Sequence, residues 1–230
     1  MTDLFSLHLV YKQTDMWLKT EGEPDRQEVE TYLKQAYEDI EAYIACDSNF
    51  LSSLHPYEVG ETAPEIVKVM SEHASKANVG PMAGIAGVIA EYIGRRLSSR
   101  HRIILCNNGG DIYYESPEEQ WILLNAPGSP FHNQIKICVP SAIKGKGLCT
   151  SSGTSGHSVN MGRAYAVSIL AGNACSADVW ATAMSNQIRS HEDIDRILSL
   201  CKEQDDIEGV VILVDNYLGI WGDIRLSRVE

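Results

Sequence analysis

The stretch RIILCNNGGDIYYE, residues 102–115, decides how the chain is read. Apolar residues lie on both sides of a short Asn-Asn-Gly-Gly break. They read as two strands joined by a tight turn, because Asn-Gly and Gly-Asp steps supply the positive φ that hairpin turns require. Working outward toward the N-terminus, LFSLHLVYK and TDMWLKTEG alternate in the same way and form a second antiparallel pair. Asp25 then caps a helix, with Glu28 three positions on and Val29, Leu33, Ala36, Ile40 and Tyr43 at helical spacing. After the break SSLHPYEVGETAP, a second helix is predicted from about Glu65 to Lys76. A Gly80-Pro81 step separates it from AGIAGVIAEYIGRRL, a helix whose Ala83, Gly84, Ala86, Gly87 and Ala90 permit close backbone approach.

Toward the C-terminus, strands are predicted at QWILLN and QIKICVP, followed by a Gly/Ser/Thr-rich loop and the strand AYAVSILAG. Helices from about Cys175 to Asn186 and from about His191 to Lys202 come next, and GVVILVD and GIWGDIRL close the chain as strands. Strands in groups and helices in groups predict an α+β fold, with mixed or antiparallel sheet layers packed against helices, and not a repeating strand–helix–strand one.

Composition narrows the function. The chain has 230 residues, of which 44% are hydrophobic and 22% charged, so it can bury a core and is not a disordered polymer. The formal net charge of -12 opposes a general grip on a nucleic-acid backbone. The acids concentrate around residues 21–41 and 192–208, which read as solvated helix faces. Residues 80–190 hold nine Lys and Arg against six Asp and Glu, and an anionic small molecule is expected there. No apolar run approaches the ~20 residues of a membrane span. The start MTDLFSLHLVYKQTD lacks a basic n-region and a small-residue cleavage site, so a soluble, cytoplasmic protein is expected. The six cysteines are widely spaced with no CxxC pair and read as reduced core residues.

Three segments can carry chemistry. In NNGGDI, the two glycines let backbone N–H groups approach a ligand and Asp111 adds a carboxylate, although a plain hairpin turn accounts for the same residues. In CTSSGTSGH, residues 149–157, Thr150, Ser151, Ser152, Gly153 and Thr154 could cradle phosphate and His157 could act as acid or base; a surface loop is the alternative. In SADVWATA, Asp178 and Thr182 share a helix face and offer hard oxygen donors to Mg²⁺. The alternative there is that Asp178 complements the helix dipole while Thr182 bonds back to a carbonyl.

These segments in this order, with PMAGIAGVIAEYIGRRL at 81–97, resemble the ApbE superfamily of flavin transferases. The chain is more similar still to a shorter branch of ApbE-like proteins, from VYKQTDMWL to the closing LGIWGDIRL. The resemblance implies binding of FAD and Mg²⁺, with either transfer of FMN to a threonine of an acceptor protein or cleavage of FAD at its pyrophosphate. It assigns Asn107, Gly109, Gly110, Asp111 and Ile112 to the NxGGDI motif. Asp178 and Thr182 match the metal-binding AD..AT pattern, and the carbonyl of Ala86 would complete the metal site. His157 would stand for the histidine of an HIIDPRTG-like segment, whose DPRTG is missing here.

The expected architecture is one ApbE-like domain over residues 1–230, as a single unit or two intimately packed halves. One ligand cleft is expected between the NNGGDI turn, the TSSGTSGH loop and the small-residue helix. The expected partners are a small anionic ligand, namely a flavin nucleotide, and an acceptor protein, with no nucleic acid or membrane and with oligomerisation left open. The alternative is a non-catalytic binding or regulatory protein for another anionic metabolite.

Overall fold

A computed structural model describes residues 4–153 and 162–229. The chain opens with the hairpin β1 (Phe5–Tyr11) and β2 (Thr14–Thr20), whose turn places Lys12 at φ 53°. In β2 the buried residues alternate strictly, Thr14, Met16, Leu18 and Thr20 facing inward, as the sequence pattern requires for a strand with one solvated face. Helix α1 (Arg26–Cys46) begins where Asp25 accepts from the amides of Gln27 and Glu28, and it buries Val29, Leu33, Ala36, Tyr37 and Ile40. A single turn α2 (Asn49–Ser52) leads to α3 (Glu65–Ala77), which Asn78 ends in the left-handed conformation. The Gly80-Pro81 step opens a short 3₁₀ turn, Pro81–Gly84, that runs into α4 (Ile85–Leu97).

Strands β3 (Ile104–Asn108) and β4 (Asp111–Ser116) form the second hairpin, followed by β5 (Gln120–Leu123), β6 (Ile135–Val139), β7 (Ala142–Ser151) and β8 (Ala166–Ala171). Helices α5 (Ala174–Ser185) and α6 (Ile194–Lys202) precede β9 (Ile207–Val214), β10 (Tyr217–Gly222) and β11 (Arg225–Arg228). An eight-stranded sheet has the order β1-β2-β3-β4-β7-β8-β9-β10, and a three-stranded one has the order β11-β6-β5. All pairings are antiparallel.

The large sheet is a middle layer. One face packs on α1, α3, α4 and α5 through Leu18, Ile104, Tyr113, Ile169 and Ile212. The other packs on the small sheet through Tyr114, Leu148, Leu170 and Leu213 against Ile135, Ile137 and Val139. Covering on both sides explains why β8 and β9 are nearly continuous apolar runs and not alternating ones: both side-chain directions point into a core. The α+β expectation is met.

Two local readings need correction. The expected Gly/Ser/Thr-rich loop contains β7, a ten-residue strand paired on both sides, so Thr150 and Ser151 belong to a central strand. Its glycines hid it, and the reason for them is tertiary: a Cβ on Gly147 would lie 2.4 Å from the Ala174 Cα, and one on Gly145 would lie 2.2 Å from the Tyr113 hydroxyl. The closing segment GIWGDIRL is two strands in different sheets, parted at Gly222, whose φ is 91°.

Candidate functional site

The β3–β4 turn is a two-residue hairpin loop: Asn108 faces Asp111, and Gly109 and Gly110 adopt φ of 66° and 115°. The Gly110 amide donates to Asn107 Oδ1 at 2.9 Å, and the Gly109 amide to the Asp15 carbonyl at 3.2 Å. The turn delivers Asp111 at the first position of β4, beside β7. There the Thr150 amide donates to Asp111 Oδ1 at 3.2 Å. Part of the Asp111 surface is exposed, but its carboxylate is enclosed, and that burial raises its pKa to about 7.

Asp178 is supplied by a different element, α5, a helix buried around its whole circumference. Its Oδ2 accepts from the Gly87 amide at 2.9 Å, and the Ala86 amide also bonds to it. Burial first, and the Asp111 charge second, push the Asp178 pKa well above the carboxylate range. Neither carboxylate has an ion-pair partner among the described residues. Thr182, one turn further along α5, is equally buried, at 7% exposure.

The structure therefore brings together the β3–β4 turn, the end of β7 and the first turns of α4 and α5. Ala86 stands at their junction, its carbonyl accepting from Asn108 Nδ2 at 3.2 Å; a carbonyl has a second lone pair for another partner. Thr150 is tied inward, its amide to Asp111 and its hydroxyl 2.8 Å from that of Ser168. Ser151 and Ser152 follow it, and Gly153 donates its amide to the Ala164 carbonyl at 3.0 Å. Gly153 must be glycine for packing, because a Cβ would sit 2.1 Å from the Gly162 carbonyl oxygen. Thr154 and His157 lie outside the described residues.

Sequence reasoning missed Asn108, Cys149 and Glu91. Cys149 donates its single S–H to the Ala174 carbonyl at 3.3 Å, with the Asp111 carboxylate as the alternative acceptor within its reach. Glu91 was detectable as a single acid among the apolar residues of AGIAGVIAEYIG, a sign of a buried carboxylate with a dedicated partner. Among the described residues, no group of three or more His, Cys, Asp and Glu side chains is placed to hold a metal. A cation here would have to take mixed oxygen donors: two carboxylates, a hydroxyl and a carbonyl. That set suits a hard ion such as Mg²⁺, and two enclosed carboxylates, the charge of one acting on the other and neither with an ion-pair partner among the described residues, are the electrostatic complement of a divalent cation.

A family model described as AbpE bacteria matches residues 1–215. A UPF0280 protein of Methanocaldococcus jannaschii is 34% identical over 225 residues, covering 96% of this chain and 91% of the relative. One from Methanococcus vannielii is 34% identical over 236 residues, covering 99% and 95%. Among solved structures, the flavin transferase ApbE from Vibrio cholerae aligns with a TM-score of 0.56 at 12% identity, covering 95% of this chain and 97% of that one. The apo form of the Pseudomonas stutzeri flavinyl transferase ApbE aligns with a TM-score of 0.56 at 10% identity, covering 99% and 95%. At such identities the structural likeness speaks for the fold.

Proposed function

The chain belongs to the AbpE bacteria family, within the ApbE-like superfamily, and from that membership we propose that it binds FAD together with Mg²⁺ and acts in FMN transfer or FAD pyrophosphate cleavage. The observation that supports this reading is the enclosed carboxylate pair Asp111 and Asp178, held by separate elements with no ion-pair partner among the described residues. Asp111, Asp178, Thr182 and the Ala86 carbonyl would hold the cation. Mg²⁺ held by these residues would supply neutralisation of the pyrophosphate and of the charge developing at phosphorus.

The Asn107–Ile112 turn and the segment Thr150–Thr154 would seat the flavin nucleotide. His157 takes the proton from the attacking hydroxyl of an acceptor threonine or of water as a new oxygen–phosphorus bond forms to FMN and the pyrophosphate link to AMP breaks. Replacing His157 by Asn is expected to slow turnover by roughly 10² to 10⁴ while leaving FAD affinity nearly unchanged.

Titration of the purified full chain with FAD, with and without Mg²⁺, tests the proposal, followed by chromatography for FMN and AMP. Binding that tightens with Mg²⁺ supports it. Binding without any product, with or without an acceptor protein, favours a non-catalytic binding role. No FAD binding at high concentration with Mg²⁺ present removes the flavin reading and leaves another anionic metabolite as ligand.

A further inference from the structure

Glu91 is the one acid of α4, 8% exposed, and it reaches across to another helix. Its Oε2 accepts from the Ala174 amide at 2.9 Å and the Cys175 amide at 3.3 Å, while Oε1 accepts from Arg95 Nε at 2.7 Å. We infer that Glu91 is a positioning residue that sets where Asp178 stands relative to Asp111. The inference rests on the cation reading of that pair.

The first amides of α5 have no acceptor within their own helix, and its N-terminus favours a negative charge; Glu91 supplies both. Asp178 returns the arrangement by accepting from Ala86 and Gly87 in the first turn of α4. Each helix thus caps the other with a carboxylate. Between the two caps the backbones touch, since a Cβ on Gly87 would lie 2.3 Å from the Ala174 carbonyl oxygen.

Ala174 is the pivot of the contact. Glu91 holds its amide, Cys149 donates to its carbonyl, and Gly147 of β7 packs against its Cα. Asp178 is four residues, one helical turn, beyond Ala174, so any displacement of the first turn of α5 is passed directly to the carboxylate. On the other side, Asp111 is fixed by β7 through Thr150. The distance between the two carboxylates therefore depends on a lock whose charged members outside the pair, among the described residues, are Glu91 and its partner Arg95.

The test compares Glu91→Ala and Glu91→Gln with the wild type by Mg²⁺ calorimetry and by hydrogen exchange at the Ala86 and Gly87 amides. The alanine variant is expected to weaken Mg²⁺ binding by roughly 10- to 100-fold, the usual effect of losing a group that orients a metal ligand. It should also lose protection at Ala86 and Gly87 while the β1–β2 hairpin keeps its own. Glutamine still offers an oxygen to the two amides and should restore both. A folded alanine variant with wild-type Kd and wild-type protection overturns the role. So does a weakened Kd in both variants with Ala86 and Gly87 still protected, since charge and not placement would then be acting. If alanine prevents folding, Glu91→Asp, which keeps the charge but shortens the reach, is read against the same outcomes. Should the wild type bind no Mg²⁺, the cation reading falls, and the exchange measurement alone decides whether Glu91 places Asp178.

Discussion

At the scale of single residues, Asp111 and Asp178 are costly as free carboxylates and useful as a pair. The Asp111 carboxyl ionises near 3.8 in an unfolded chain but keeps its proton to about 7 in the fold, because its surroundings exclude water. An acid whose pKa rises on folding leaves the folded state binding more protons than the unfolded one, so metal-free stability should fall as pH rises from about 4 to about 7. A cation binds the ionised pair, so its stabilising effect should grow across the same window. Melting midpoints with Mg²⁺ and with EDTA at about pH 5 and about pH 8 check this, and an equal Mg²⁺ effect at both would contradict it. Asp178→Asn keeps an acceptor for the Gly87 amide and removes the charge. It should raise the metal-free midpoint above neutral pH and abolish the rise with Mg²⁺. If the rise stays at its wild-type size, Asp178 is not a ligand.

At the scale of elements, two glycines serve different purposes. Gly109 has open space around its missing side chain but a φ of 66°, so Gly109→Ala should cost only the backbone strain, about 1–2 kcal/mol. Gly147 sits in β7 where a Cβ would lie 2.4 Å from the Ala174 Cα. Gly147→Ala must push α5 off the sheet, at about 1–3 kcal/mol or more, and should weaken Mg²⁺ binding as well. Urea unfolding of both variants separates strain from overpacking; Mg²⁺ affinity unchanged in Gly147→Ala would show that the contact does not reach Asp178.

At the scale of the molecule, β8 and β9 contribute side chains to both cores, the helical layer on one side and the small sheet on the other. The layers should therefore unfold together. Ile137→Ala, in β6 and 1% exposed, should lower stability by about 2–5 kcal/mol. It should still give one transition, coincident by far-UV circular dichroism and by tryptophan fluorescence, with Trp121 in the small sheet and Trp180 in α5 as reporters. Two separated transitions would mean that the small sheet is an independent unit.

Hairpins, caps and helical stripes are governed by neighbours in the chain. The β1–β2 pair, the Asp25 cap, the Asn108–Asp111 turn and the buried stripe of α1 are accordingly written in the residue order. The same holds for the i, i+4 placement of Asp178 and Thr182. The strand β7 was not legible, because its glycines answer to Tyr113 and Ala174, residues about 30 positions away on other elements, and local propensity cannot register such a demand. Nor was the break of the last segment into two sheets, which depends on where β6 waits to pair. The pairing of Asp111 with Asp178, the bond of Asn108 to Ala86 and the lock of Glu91 on Ala174 were decided by tertiary structure alone. A carboxylate's chemistry follows from what encloses it, and here the enclosure is assembled from five elements, β3, β4, β7, α4 and α5, that meet only when the sheet and helices pack.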